Sequence, residues 1–227
     1  VDGSNGSDGS DELRASTSSP LPWLRAEWLR VGQRLPARGS AGSTTSGTPS
    51  TCLGLVAYGA PVPGASPSTF APIQADLLDG GAAAGLAWHG HHPLEAGSTG
   101  QVRWQRDAQW LFGAIDLDEA DRGGDLSALA QRAYRDLFDT LRLGGRPHLL
   151  RVWNYVPHIN ADGGGLERYR QFNAGRQQAF LDAGQAAFEG APAACALGIH
   201  QGALCIRFLA GRIAPLPVEN PRQVSAY

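Results

Sequence analysis

Methionine is absent from this chain, cysteine occurs three times, and charged residues make up only 18% of it. Each scarcity excludes something. Without a methionine at position 1, the sequence reads as a segment of a longer protein. Cys52, Cys195 and Cys205 are odd in number, and two of them sit inside apolar runs. They read as reduced, buried thiols of a cytoplasmic protein, and they lack the close Cys/His pairing that zinc requires. A formal net charge of -2 leaves no basic stripe for a nucleic-acid partner. No apolar run reaches the roughly 18 residues of a membrane span. The N-terminus lacks a basic patch followed by an apolar core, so no secretory signal is expected.

What is present suffices for a core: 227 residues, 42% of them hydrophobic, make one large domain or two small ones. Residues 1–19, "VDGSNGSDGSDELRASTSS", have almost nothing to bury and read as a flexible arm. Order is expected from residue 20, where Trp23, Leu24, Trp28 and Leu29 supply anchors. Residues 37–50, "ARGSAGSTTSGTPS", read as a flexible loop before "TCLGLVAYG", an apolar run of strand length.

The segment "QVRWQRDAQWLFGAIDLD" alternates and then turns continuously apolar, predicting two strands that turn near "RDAQ". Gly113 marks a close approach or a bulge there. In "DLSALAQRAYRDLFDTLRLGG", Leu126, Leu129, Ala130, Ala133, Tyr134, Leu137, Phe138 and Leu141 keep helical spacing. Asp125 is the N-cap, and Gly144 and Gly145 are the stop. "HLLRVWNYVPHIN" predicts a buried strand, 166–189 a long helix, and "ACALGIHQGALCIRFLAGR" two short strands around "HQG". The order predicts an α+β or α/β domain, a mixed sheet with helices packed on one face.

On a helical wheel, Leu166, Tyr169, Phe172, Asn173, Arg176, Phe180, Ala183 and Ala187 share a stripe about 120 degrees wide, with Arg176 near its centre. A buried guanidinium must be paired or hydrogen-bonded. A structural partner and an anionic ligand both satisfy that condition. The tail "PVENPRQVSAY" is stiffened by Pro215, Pro217 and Pro221. It presents Glu219, Asn220, Arg222, Gln223, Ser225 and Tyr227 either as a polar linker or as the wall of a pocket. "WHGHHPLE" clusters histidines without a third convergent ligand and reads as a polar loop; His200 reads as a turn residue. The glycine-rich "GGDLSAL" and "DGGGLERY" precede helices but lack phosphate-loop spacing, and no GxSxG elbow occurs.

Three segments, "LLRVWNYVPHIN", "GLERYRQFNAGR" and "VENPRQVSAY", in this order and spacing, resemble the chorismatase (chorismate hydrolase) family over residues 20–227. The resemblance implies a fold similar to the RidA/YjgF group and to trimeric chorismate mutase, with two related α/β domains and a site between them. It implies hydrolysis of the enol ether of chorismate without metal or cofactor, releasing pyruvate and a dihydroxycyclohexadiene carboxylate or a hydroxybenzoate. Residues 20–218 then correspond to the N-terminal domain, and 219–227 begin a substrate-binding linker to a C-terminal domain of the same protein. The family's catalytic glutamate lies beyond Tyr227. Arg222 and Tyr227 match the substrate-binding segment, and Arg176 and Tyr169 match the helix motif. A non-catalytic RidA-like module for binding small carboxylates, or for assembly, is the alternative expectation.

Overall fold

The computed structural model describes residues 24–30, 51–62, 70–75, 83–90, 92–185, 192–216 and 222. Residues 1–19, the 37–50 loop, Trp23, His91, Ala187, Glu219 and Tyr227 lie outside the described residues. The elements in chain order are β1 (Arg25–Arg30), β2 (Thr51–Ala57), β3 (Ala83–Gly90), β4 (Glu95–Thr99), β5 (Val102–Arg106) and β6 (Trp110–Leu117). A short 3-10 turn (Glu119–Arg122) follows, then α1 (Leu126–Gly144), β7 (His148–Pro157), α2 (Arg168–Asp182), β8 (Ala193–Ile199) and β9 (Leu204–Gly211).

β1, β3 and β2 form an antiparallel three-stranded sheet with β3 in the middle. The other six strands form a mixed sheet in the order β4-β5-β6-β9-β7-β8, in which β7 and β8 are the parallel pair. Side chains alternate across the large sheet. Ile115, Val152, Val156, Leu204, Ile206 and Phe208 pack against α1 and α2. Phe112, Trp153, Tyr155, Cys205 and Leu209 join Leu53, Leu55, Val56 and Ala87 of the small sheet. Burial on both faces explains the continuous apolar runs of β6 and β9. The expected mixed sheet with both helices on one face is therefore present, and a second sheet covers the other face.

Local chemistry sets the boundaries. Asp107 turns the chain between β5 and β6, its Oδ1 accepting from the Gln109 and Trp110 amides at 2.8 and 2.7 Å. Asp125 caps α1 by accepting from Ala128 N at 3.0 Å, and Gly145 ends it at φ 63°. At Gly113 the close approach comes from the Phe208 ring, which fills the place of a side chain.

Two sequence readings need correction. The segment from Trp88 to Glu95 is a loop only in part: Trp88 and His89 belong to β3, which ends at Gly90, His89 is 1% exposed, and Glu95 starts β4. The two strands expected around "HQG" are present as β8 and β9, and in the sheet β7 lies between them. The long helix starts at Arg168 and ends at Asp182, followed by Gly184 at φ 61°. Its buried side is Phe172, Gly175, Ala179 and Phe180, whereas Leu166 and Tyr169 are each 42% exposed. The stripe is rotated because Gly175 brings α2 against the backbone of α1: a Cβ there would lie 1.9 Å from Ser127 O.

Candidate functional site

Along β7, Val152 and Val156 face the helices, while Arg151, Trp153 and Tyr155 face the small sheet. Every basic residue of this chain is arginine, and most of the described ones have a carboxylate partner. Arg151 has none among the described residues. It is exposed, and its guanidinium lies 5.2 Å from the centre of the Trp153 ring. Stacking braces the fork while leaving its hydrogen-bond donors open.

Beside it, Tyr58, just past β2, reaches Tyr155. Their hydroxyls are 2.8 Å apart and the rings meet edge-on at 5.9 Å. Burial pushes both phenols above their ordinary range. Either hydroxyl can donate across this contact. Tyr58 is half-buried, so its hydroxyl oxygen has room for a second partner besides Tyr155. Arg151 and Cys195 both lie close enough to act on its ionisation, Arg151 favouring the phenolate. Leu197 of β8, 49% exposed and in register with Tyr155, adds apolar surface. Because β8 ends the sheet, the cluster opens along that flank. A guanidinium fork, a phenol hydroxyl and the exposed Leu197 together suit a carboxylate on an apolar ring.

The nearby carboxylates are otherwise engaged. Asp116 is shared by Arg103 and the fully buried Arg207, which also donates to the carbonyls of Ile115 and Ala71, both at 2.9 Å. Glu119 is gripped by both terminal nitrogens of Arg168, whose Nε donates to Pro157 O at 2.9 Å. Both are fixed acceptors that tie the end of β6 to its surroundings. Among the described residues no group of three or more His, Cys, Asp or Glu side chains could hold a metal ion. None of the described helices is long and apolar enough to cross a membrane.

The residues singled out from sequence are dispersed. Arg176 is half-buried on α2, 4.6 Å from the Phe180 ring and 5.8 Å from that of Tyr134, across the large sheet from Arg151. Tyr169 stands in the first turn of α2. Arg222 is an exposed turn residue. The helix N-termini offer no open phosphate cradle: Asp125 caps α1, and the amides of Arg168 and Tyr169 donate to Ala161 O and Ile159 O, both at 2.9 Å. Arg151 and Tyr155 lay within "LLRVWNYVPHIN", and their alternation with Trp153 was the available signal. Tyr58 had no local signal at all.

Known proteins share stretches of this sequence and its fold. The family model for the chorismatase FkbO/Hyg5-like N-terminal region matches residues 87–210. A chorismatase of Streptomyces hygroscopicus is 38% identical over 142 residues, covering 62% of this chain and 40% of the relative. A 3-hydroxybenzoate synthase of the same organism is 32% identical over 135 residues, 59% of this chain and 38% of the relative. A crystal structure of chorismatase superposes with a TM-score of 0.60 at 28% identity, covering 84% of this chain and 54% of that one. The chain thus spans about 40% of the length of the curated relatives it matches. By the match of more than half its length to that model, the chain belongs to the FkbO/Hyg5-like chorismatase family.

Proposed function

We propose that this chain supplies the carboxylate-binding half of an enzyme that hydrolyses the enol ether of chorismate. The observation that carries the reading is the unpaired Arg151 guanidinium, braced on Trp153 beside the Tyr58 hydroxyl, on the strand that bears a family signature. The relatives' names, chorismatase and 3-hydroxybenzoate synthase, point to chorismate conversion. Chorismate carries two carboxylates on and beside an apolar ring. Arg151 and Tyr58 would hold one of them, and Arg222 and Tyr227, from the segment after β9, the other.

The chemistry then needs an acid. A proton is delivered to the enolpyruvyl methylene carbon, water adds to the resulting oxocarbenium carbon, and the hemiketal collapses to pyruvate and the ring alcohol. Asp116 and Glu119 are held in ion pairs, so the proton donor is assigned to a carboxylic acid in the part of the relatives' length that this chain does not span. The open flank at β8 is where that part would complete the site. Product identity, a dihydroxycyclohexadiene carboxylate or a hydroxybenzoate, then rests with that part as well.

The test is pyruvate release from chorismate, measured for a full-length family protein containing this segment and for the 227-residue chain alone. Turnover by the former and little or none by the latter is expected. Rapid release by the isolated chain sinks the divided site. Chorismate binding without pyruvate from the full-length protein would instead favour a non-catalytic carboxylate-binding module, a reading compatible with the ion-paired state of Asp116 and Glu119.

A further inference from the structure

A cleft of about 350 Å³ opens at the carboxyl ends of β6 and β7, lined by Asp118, Glu119, Pro157, His158, Arg168 and Gln201. Through Gln201 and Gly202 it shares walls with a smaller cavity of about 140 Å³ that reaches Gln74, Asp116 and Cys205. Pieces of three segments singled out from sequence, "VPHIN", "GLERY" and "GIHQG", converge here, and the proposed chorismate cluster uses none of these residues.

His158 has a left-handed backbone, φ 51°, the one non-glycine residue so placed among the described residues. It is pinned there by its own N–H to Ile199 O and by Ala161 N to its carbonyl, both at 2.8 Å. Asparagine or glycine adopts this conformation more readily than an imidazole-bearing residue. A strained residue on the lip of a cavity is a recurrent mark of ligand contact.

The charges of the cleft decide what it would take. Glu119 is neutralised by Arg168, and Asp116 by Arg103 and Arg207. Asp118 Oδ1 caps the turn by accepting from Ala120 N at 3.0 Å, and its charge is left over. The side chains of His158, Gln201 and Gln74 make no hydrogen bond among the described residues, so they are open donors and acceptors. One surplus carboxylate repels an anion, and no cation is free to receive one. We propose that this cleft is a second ligand site, built for a neutral, hydroxyl-bearing small molecule whose hydroxyls are received by His158, Gln201 and Asp118. It is separate from the carboxylate cluster and does not depend on the chorismate reading.

The probe is cis-cyclohexane-1,2-diol, with cyclohexanecarboxylate as its charged counterpart, followed by amide NMR shifts and thermal unfolding of the 227-residue chain. The diol is expected to shift the Gly202 and His158 amides, and the carboxylate to leave them in place. His158→Asn should raise the unfolding midpoint by about 2–4 °C by relieving the backbone and weaken the diol at least threefold. Gln201→Ala, at an exposed loop position, should weaken the diol with the midpoint unchanged. A midpoint that falls or stays put in His158→Asn makes the imidazole structural and overturns the proposal. It is equally overturned by a diol that shifts neither amide, by diol binding that survives both substitutions, or by preferential binding of the carboxylate.

Discussion

Tyr134 of α1 donates its phenol proton to the side-chain oxygen of Asn154 on β7 across 2.8 Å, inside the layer between the helices and the large sheet. Asn154 in turn donates to Cys195 O of β8 at 2.9 Å, and the Arg176 guanidinium of α2 lies 5.8 Å from the centre of the Tyr134 ring. Burial, as the largest influence, pushes the phenol up to about 12, so it stays protonated as a donor at neutral pH. The chain of contacts links both helices to the edge strand through an otherwise apolar core.

Tyr134→Phe leaves the Asn154 oxygen buried without its donor. The expected loss is about 1–3 kcal/mol in urea unfolding. Arg176→Ala removes the stacked guanidinium and should lose about 1 kcal/mol. Because Arg176 is across the sheet from Arg151, its removal should leave chorismate affinity unchanged. An affinity loss without a stability loss would return Arg176 to the substrate.

Arg151→Gln keeps the size and polarity of an exposed side chain but removes the charged fork. In the full-length protein, calorimetry should register at least a tenfold weaker chorismate complex, about 1.4 kcal/mol or more, with little change in unfolding. Tyr58→Phe should weaken binding less, since it removes one neutral donor. Unaltered affinity in both variants would rule out the cluster as the carboxylate site.

Gly175→Ala tests helix propensity against packing. Alanine favours an isolated helix by about 1 kcal/mol over glycine. Here the added methyl would lie 1.9 Å from Ser127 O and 3.0 Å from Gln131 N, both backbone atoms of α1. The helices must separate, and a net destabilisation of about 1–3 kcal/mol is expected. Stabilisation would mean that the approach of α1 and α2 is looser than the structure has it.

His89 gives stability a pH dependence. Burial first, and Arg25 second, hold its imidazole below the ordinary histidine range, while Glu27, 3.4 Å away, pulls the other way. The folded protein therefore binds this proton less readily than the unfolded chain. Stability is full above the unfolded value of about 6.5 and declines as pH falls through it. Thermal midpoints measured from about pH 7.5 down to 5.5 should show the decline in the native chain and a flatter profile in His89→Gln. An equal slope in both would assign the effect to other groups.

Much of the fold was legible because burial imposes a period. The spacing from Leu126 to Leu141 made α1 plain, and Asp125 and Gly145 marked its ends. The apolar runs of β6, β7 and β9 were readable as strands since both of their faces are covered. β3 and β4 were not: "AAGLAWHG" is mostly alanine and glycine, which carry no strand preference, and "EAGST" has no apolar member beyond one alanine. His89 read as loop material because its burial comes from strands and side chains distant in sequence. Arg176 was expected at the centre of the buried stripe; it is half-buried beside it, over aromatic rings that no carboxylate search along the sequence would find.

By itself, the sequence determined most of the elements, the caps of α1, the α+β class and the family signatures, because those depend on neighbours within a few residues. Only the tertiary structure decided that β7 separates β8 from β9, that Arg207 is buried on Asp116, and that Tyr58 meets Tyr155 across 97 positions of chain to stand beside Arg151. Strand pairing and long-range burial join residues whose separation leaves no periodic trace. A site assembled from β2 and β7 therefore becomes visible only when the small sheet lies on the large one.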